Sequence, residues 1–243
     1  MKRLLVSLIT AATVVLGISI AQGSVVIGGT RVIYPAEKRE VSVQLQNSGE
    51  EPALVQAWVD SGNPDVSPDN SEAPFVIQPP ISRIEPGQGQ VLRLSYTGSN
   101  PLPKDQESVF WLNVLDVPPN PGSTDGEAPE NFLQLAIRSR IKVFYRPEGL
   151  EGDVSDAREE VQWSVSGDVL RGNNPTPYHV TVSRLLLTNG TEVSIPTGEG
   201  MLAPGESQTF DLPSGAPSSI TSFKMTTIND YGARVVTDVS VGR

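Results

Sequence analysis

Over the first 147 residues apolar and polar positions alternate with a period of two, and no stretch shows the helical period of 3.6. The longest run is Asn131–Pro147, NFLQLAIRSRIKVFYRP. Leu133, Leu135, Ile137, Ile141, Val143 and Tyr145 share one parity, and Gln134, Arg138, Arg140, Lys142 and Arg146 share the other. This pattern predicts one long strand with an apolar and a polar face. Its apolar side either fills the protein's own core or is lent, as an edge, to another protein.

The same pattern places the other elements. Val25–Tyr34 reads as a first strand ending at Pro35, with Arg31 inside it, where a charge costs free energy unless paired or exposed. Glu40–Asn47 and Ala53–Asp60 alternate, and Trp58 stands where immunoglobulin-like cores often carry an indole. Phe75–Ile84 is interrupted by Pro79-Pro80, which marks an edge or a change of sheet. Val91–Tyr96 follows, and Ser108–Val117 is apolar on nearly both parities, as expected of a strand covered on both sides. Pro118–Glu130 is an acidic loop. Seven strands at short spacing predict a β-sandwich. Pro147–Asp153 looks like a boundary, and the strands predicted beyond it (Val161–Val165, Val169–Arg171, Tyr178–Leu187, Thr209–Leu212, Thr221–Asn229, Ala233–Val241) predict a second, smaller one. The expected domains are 24–147 and 148–243.

Residues 1–23 have the build of a secretory signal: Lys2 and Arg3, an apolar run from Leu4 to Ile20, then small residues with cleavage after Ala21 or Gly23. No other long apolar stretch exists, so no membrane anchor is expected. The 243-residue chain has a formal charge of −10, and loss of the signal removes two of its positive charges. That balance argues against nucleic acid and anionic membranes as partners. There is no cysteine, so two sandwiches bound for an oxidising compartment must rest on their cores alone.

Chemistry is sparse. His179 is the single histidine and reads as structural. Without cysteine or a second histidine, zinc sites and thiol catalysis are excluded, and Asp65, Asp69 and Glu72 lack the spacing of a calcium loop. No metal, no cofactor and no catalytic residue is expected. What stands out is charge. Arg31 and Lys142 lie in the first and last strands of one sandwich, which can run close together. Two cations held together call for an anion, and a peptide carboxylate suits a guanidinium fork beside an ammonium. Glu107, Arg146 and Asp230 either bridge the domains or are unrelated surface charges.

Five segments, TRVIY (Thr30–Tyr34), ESVFWLNV (Glu107–Val114), IKVFYRP (Ile141–Pro147), NPTPY (Asn174–Tyr178) and INDYG (Ile228–Gly232), occur in the order found in the periplasmic chaperones of chaperone–usher pilus assembly, which the chain resembles along its mature length. The resemblance implies an all-β protein of two immunoglobulin-like domains in an L shape. It implies that Arg31 and Lys142 hold a subunit's C-terminal carboxylate and that Leu133, Leu135 and Ile137 complete the subunit's unfinished sandwich. It also implies that Glu107, Arg146 and Asp230 link the domains. The partners would be pilus subunits and an outer-membrane usher, and the free strand could pair with a second copy. Lys142 has the opposite parity from the three donor residues, so a bulge or twist is expected between them. A secreted two-domain adhesin or carbohydrate-binding module would have a similar composition, but its loops would show more exposed aromatics.

Overall fold

The computed structural model describes residues 24–119 and 133–242 apart from Thr197, Glu199 and Ser218. The expected signal, residues 1–23, and residues 120–130 of the acidic loop lie outside them.

Alternation in the first half produces nine strands: β1 (Val25–Ile27), β2 (Arg31–Pro35), β3 (Val41–Asn47), β4 (Ala53–Asp60), β5 (Phe75–Gln78), β6 (Ile81–Ile84), β7 (Gly89–Tyr96), β8 (Ser108–Val117) and β9 (Ile137–Arg146). They form two sheets, ordered β1-β3-β7-β5 and β2-β9-β8-β4-β6. The inward parities meet in one core that includes Tyr34, Leu45, Leu92, Leu112 and Val143. Ser24 Oγ and Val25 N–H both donate to Asp116 Oδ2, tying the start of β1 to β8 in the opposite sheet.

A short helix, α1 (Ala157–Glu160), leads into the second sandwich: β10 (Gln162–Ser166), β11 (Val169–Asn173), β12 (Val180–Leu187), β13 (Glu192–Val193), β14 (Met201–Leu202), β15 (Ser207–Asp211), β16 (Ser222–Ile228) and β17 (Arg234–Ser240). Sheets β10-β11-β15 and β13-β12-β16-β17 enclose Trp163, Leu170, Leu185, Phe210 and Phe223. Gly172 lets the Trp163 ring lie against the backbone, since a Cβ there would come within 2.9 Å of it.

Four expectations need amending. Val25–Tyr34 is two strands, because the chain crosses between sheets at Gly28-Gly29-Thr30: β1 pairs with β3 and β2 with β9. The long strand begins at Ile137, with Leu133–Ala136 outside it, and Asn131 and Phe132 lie outside the described residues. No bulge separates Lys142 from Ile137, because β9 runs along β8 in constant register from Asp116↔Ile137 to Ser108↔Tyr145. The row carrying Lys142 simply faces the other way. Trp58 is buried but outside the core cluster, in a pocket on the outer face that it shares with Pro68, Asp69 and Ser71. The Pro79-Pro80 break does change sheet, with β5 on β7 and β6 on β4.

Candidate functional site

Strands β2 and β9 run parallel, with Arg31 directly opposite Lys142. On β9 the odd residues point into the first core. The even residues Lys142, Phe144 and Arg146 therefore lie on the other face. Phe144 packs its ring 5.6 Å from that of His179 in the second sandwich, and the Arg31 guanidinium stands 5.6 Å over the Phe144 ring. Arg31 Nη1 donates to the Ile228 carbonyl at 3.0 Å, while its Nε is buried without a partner among the described residues.

Neither cation has an ion-pair partner among the described residues. Lys142 is half-buried, and burial first, then the charges of Arg31 and Arg140, push its ammonium down to about 8. Burial also lowers Arg31, against the opposing pull of Asp230 and Glu107. A guanidinium fork thus stands beside an ammonium whose charge it disfavours, a donor set of the kind that suits a carboxylate.

Beside them lies a compact ion cluster. Arg146 Nε donates to Glu107 Oε1 at 2.6 Å, and its two terminal nitrogens donate to Asp230 Oδ2 and Oδ1 at 2.7 and 3.1 Å. Glu107 Oε2 accepts from the His179 backbone N–H at 2.8 Å and lies 3.3 Å from its Nδ1. Burial by itself would raise the Glu107 carboxyl. His179 and Arg146 outweigh that and hold it below the ordinary carboxylate range. The structure thus brings Glu107, Arg146 and Asp230 together across the two sandwiches. Arg31, Phe144 and this cluster line a cavity of about 330 Å³.

Leu133, Leu135 and Ile137, the three residues expected to be donated, lie apart from the cations. Leu133, Leu135 and Ile137 are 83%, 62% and 44% exposed. Only Ile137 is in a strand. Because β2 covers just Lys142–Arg146, residues 137–141 have a strand on one side only. A groove of about 580 Å³ opens there, lined by Ile27, Val114, Ile137 and Ile141 among others.

Sequence reasoning missed several contributors. His179, structural as the sequence suggests, is also the fourth member of the Glu107 cluster, a contact with no local sequence signal. The partner of Arg31 is a backbone carbonyl and carries no side-chain signal. Arg140 lies on the polar face of the strand, where it donates Nε to Asp60 Oδ2 at 2.9 Å and stacks 4.6 Å over Trp111. Asp60 is fully buried. Its carboxyl, which burial would raise, is held low by Arg140 and Asn113. Among the described residues no group of three or more His, Cys, Asp or Glu could hold a metal ion.

Fold and site define a class, a two-domain immunoglobulin-like binding protein with an incompletely covered strand and an adjacent cation pair. Residues 24–151 match the family described as pili and flagellar-assembly chaperone, PapD N-terminal domain, and residues 156–238 match the pili assembly chaperone PapD, C-terminal domain. The chain is 44% identical over 218 residues to the chaperone protein MrkB of Klebsiella pneumoniae, covering 90% of this chain and 91% of that one. It is 42% identical over 220 residues to the probable fimbrial chaperone YadV of Escherichia coli K12, covering 87% of each. The crystal structure of YadV superimposes with a TM-score of 0.74 over 90% of this chain and 100% of that one, at 40% identity. A complex of Salmonella enterica SafA pilin with the SafB chaperone matches with a TM-score of 0.75 at 27% identity, over 92% and 99%. The chain belongs to the family of pilus-assembly chaperones. It is a chaperone of fimbrial subunits and not an enzyme, and the adhesin reading is set aside.

Proposed function

We propose that this chaperone works in the periplasm, donates Leu133, Leu135 and Ile137 as a strand to a pilus subunit, anchors the subunit's C-terminal carboxylate with Arg31 and Lys142, and delivers it to an outer-membrane usher. The signal-like residues 1–23 support export, and among the described residues no helix is long and apolar enough to cross a membrane. The SafB chaperone, a relative in fold and sequence, binds a pilin, which supports a subunit as the client here.

One observation carries the reading: the row that fills the first core through Ile141, Val143 and Tyr145 continues at the same parity as an exposed apolar row beyond the sandwich. A subunit missing a strand exposes a groove and unpaired backbone groups. An added strand supplies hydrogen bonds while its alternate side chains fill the groove. Burying the three donor residues contributes about 5–9 kcal/mol before ordering costs. The cation pair fixes where the pairing starts, since a one-residue slip would turn the wrong face inward. The domain boundary falls at Pro147, and the Glu107–Arg146–Asp230 cluster links the two domains. Without a client, the same edge is open to a second copy.

The test is co-purification of subunit from periplasm. Leu135→Asp should abolish subunit recovery while the chaperone melts normally, and Arg31→Ala and Lys142→Ala should each reduce it. Wild-type recovery with Leu135→Asp would refute strand donation.

A further inference from the structure

We infer that the β16–β17 hairpin, residues 228–233, is a positioning element for Arg31, so that the cation pair is assembled only while the two sandwiches are docked. This rests on the reading that Arg31 and Lys142 hold a client carboxylate. Lys142 has no hydrogen-bond or ion-pair partner among the described residues. Arg31 is different. Among the described residues, the one hydrogen bond its guanidinium makes crosses to the second sandwich, to the Ile228 carbonyl at 3.0 Å. An arginine side chain samples many rotamers unless something holds its end. Here that anchor is a peptide group 197 positions further along the chain.

The hairpin reaches the first sandwich at two more points. Asp230 takes both terminal nitrogens of Arg146. Gly232 sits against Thr30, the residue just before Arg31: a Cβ at Gly232 would stand 2.5 Å from Thr30 Oγ1, and φ there is +80°. Only a residue without a side chain allows that approach in that conformation. The tip is braced internally. Asn229 Oδ1 accepts from the N–H groups of Tyr231 and Ala233 at 3.1 and 2.9 Å, and Gly232 N–H donates to the Asn229 carbonyl at 2.9 Å. A braced tip, a close backbone approach beside Arg31 and a carbonyl on its guanidinium form one continuous path. Loosening or pushing back the tip withdraws the anchor without altering either cation.

The experiment compares two client peptides that differ only at the C-terminus, one a free carboxylate and one an amide. Their affinities are measured for the wild-type chaperone, Gly232→Asn and Asn229→Ala. Asparagine tolerates a positive φ, so Gly232→Asn tests crowding against Thr30 more than backbone strain. Asn229→Ala removes the brace and adds no bulk. Each variant should lose most of the carboxylate preference, by roughly tenfold, as expected on loss of a charge-assisted hydrogen bond. Binding of the amide peptide should be unchanged, and adding Thr30→Ala to Gly232→Asn should restore part of the preference. A merely structural defect would weaken both peptides alike and would overturn the inference. So would folded variants of both kinds that keep the wild-type preference. If the wild-type protein shows no carboxylate preference, the clamp itself is wrong.

Discussion

If the half-buried Lys142 holds a client carboxylate as proposed, capture should depend on pH in the mildly alkaline range. Its ammonium is held down to about 8 from an ordinary value of 10.5 by burial and by Arg31 and Arg140. In the free folded chaperone the charged form is therefore disfavoured by roughly 3 kcal/mol. That penalty is fully present below about pH 8 and is relieved as pH rises toward the unfolded value, so this group makes the free protein more stable, not less, on the alkaline side. A bound carboxylate reverses the balance, because it stabilises the ammonium. Above pH 8 the free protein has shed the proton that the complex needs, and binding must take it up again. The affinity for a carboxylate-ended client should then fall roughly tenfold per pH unit above 8 and stay flat between 6.5 and 7.5. Fluorescence anisotropy with carboxylate and amide peptides from pH 6.5 to 9.5 reads this directly, and the amide peptide isolates the clamp from other titrating groups. Lys142→Arg stays charged throughout and should flatten the profile. A flat wild-type profile up to pH 9, or an equal slope for the amide peptide, would refute the reasoning.

Three further outcomes follow from the ion clusters. Arg146→Ala leaves the buried Glu107 carboxylate with only His179 and should cost about 3–5 kcal/mol in denaturant unfolding. Because Glu107 is held low in the folded state, its contribution is present above the ordinary carboxylate range and lost as pH falls through it, so Glu107→Gln should flatten the acid limb of stability. Arg140→Met removes one of the charges that depress Lys142 and should move the alkaline limb of client binding to higher pH, while also destabilising the fold through the unpaired Asp60. An unmoved limb in a folded variant would separate Arg140 from the clamp.

The period of two made the sandwiches readable, because a half-buried strand writes its two faces into alternate residues. Ile141, Val143 and Tyr145 were legible for that reason, and so was the sheet change at Pro79-Pro80. The break at Gly28–Thr30 was not. Val25–Ile27 and Arg31–Pro35 are both apolar enough for strands, and nothing local says that one pairs with β3 and the other with β9. The alternation marks one row of β9 as polar without saying what covers it, and the turn after β4 lies across it: Pro64 accepts from Arg138, and Asp60 meets Arg140 there. Such coverage is decided by a loop whose composition is ordinary. The place of His179 beside Glu107 depends on how two sandwiches dock, and neither half of the chain encodes that alone.

The end of the donor strand has a cause in the neighbouring sequence. Strand β8 stops at Val117, and Pro118-Pro119 follow. Continuing the β8–β9 register would set Leu135 opposite Pro118 and Gln134 opposite Pro119, neither of which has an N–H to offer. The Gln134 side chain instead donates to the Pro118 carbonyl at 2.8 Å. On the other side β2 ends its pairing at Lys142. The ribbon therefore changes by stages: flanked on both sides from Lys142 to Tyr145, on one side from Ile137 to Ile141, and outside any sheet from Leu133 to Ala136. Along it, the apolar parity is interrupted only at Ser139. If a client strand pairs where the chaperone's own hydrogen bonds run out, its core would join the chaperone's along that row, and the two prolines would be what keeps the joint open. Restoring a donor there, with Pro118→Thr and Pro119→Thr, should lengthen β8 and weaken client capture even though no contact residue has changed.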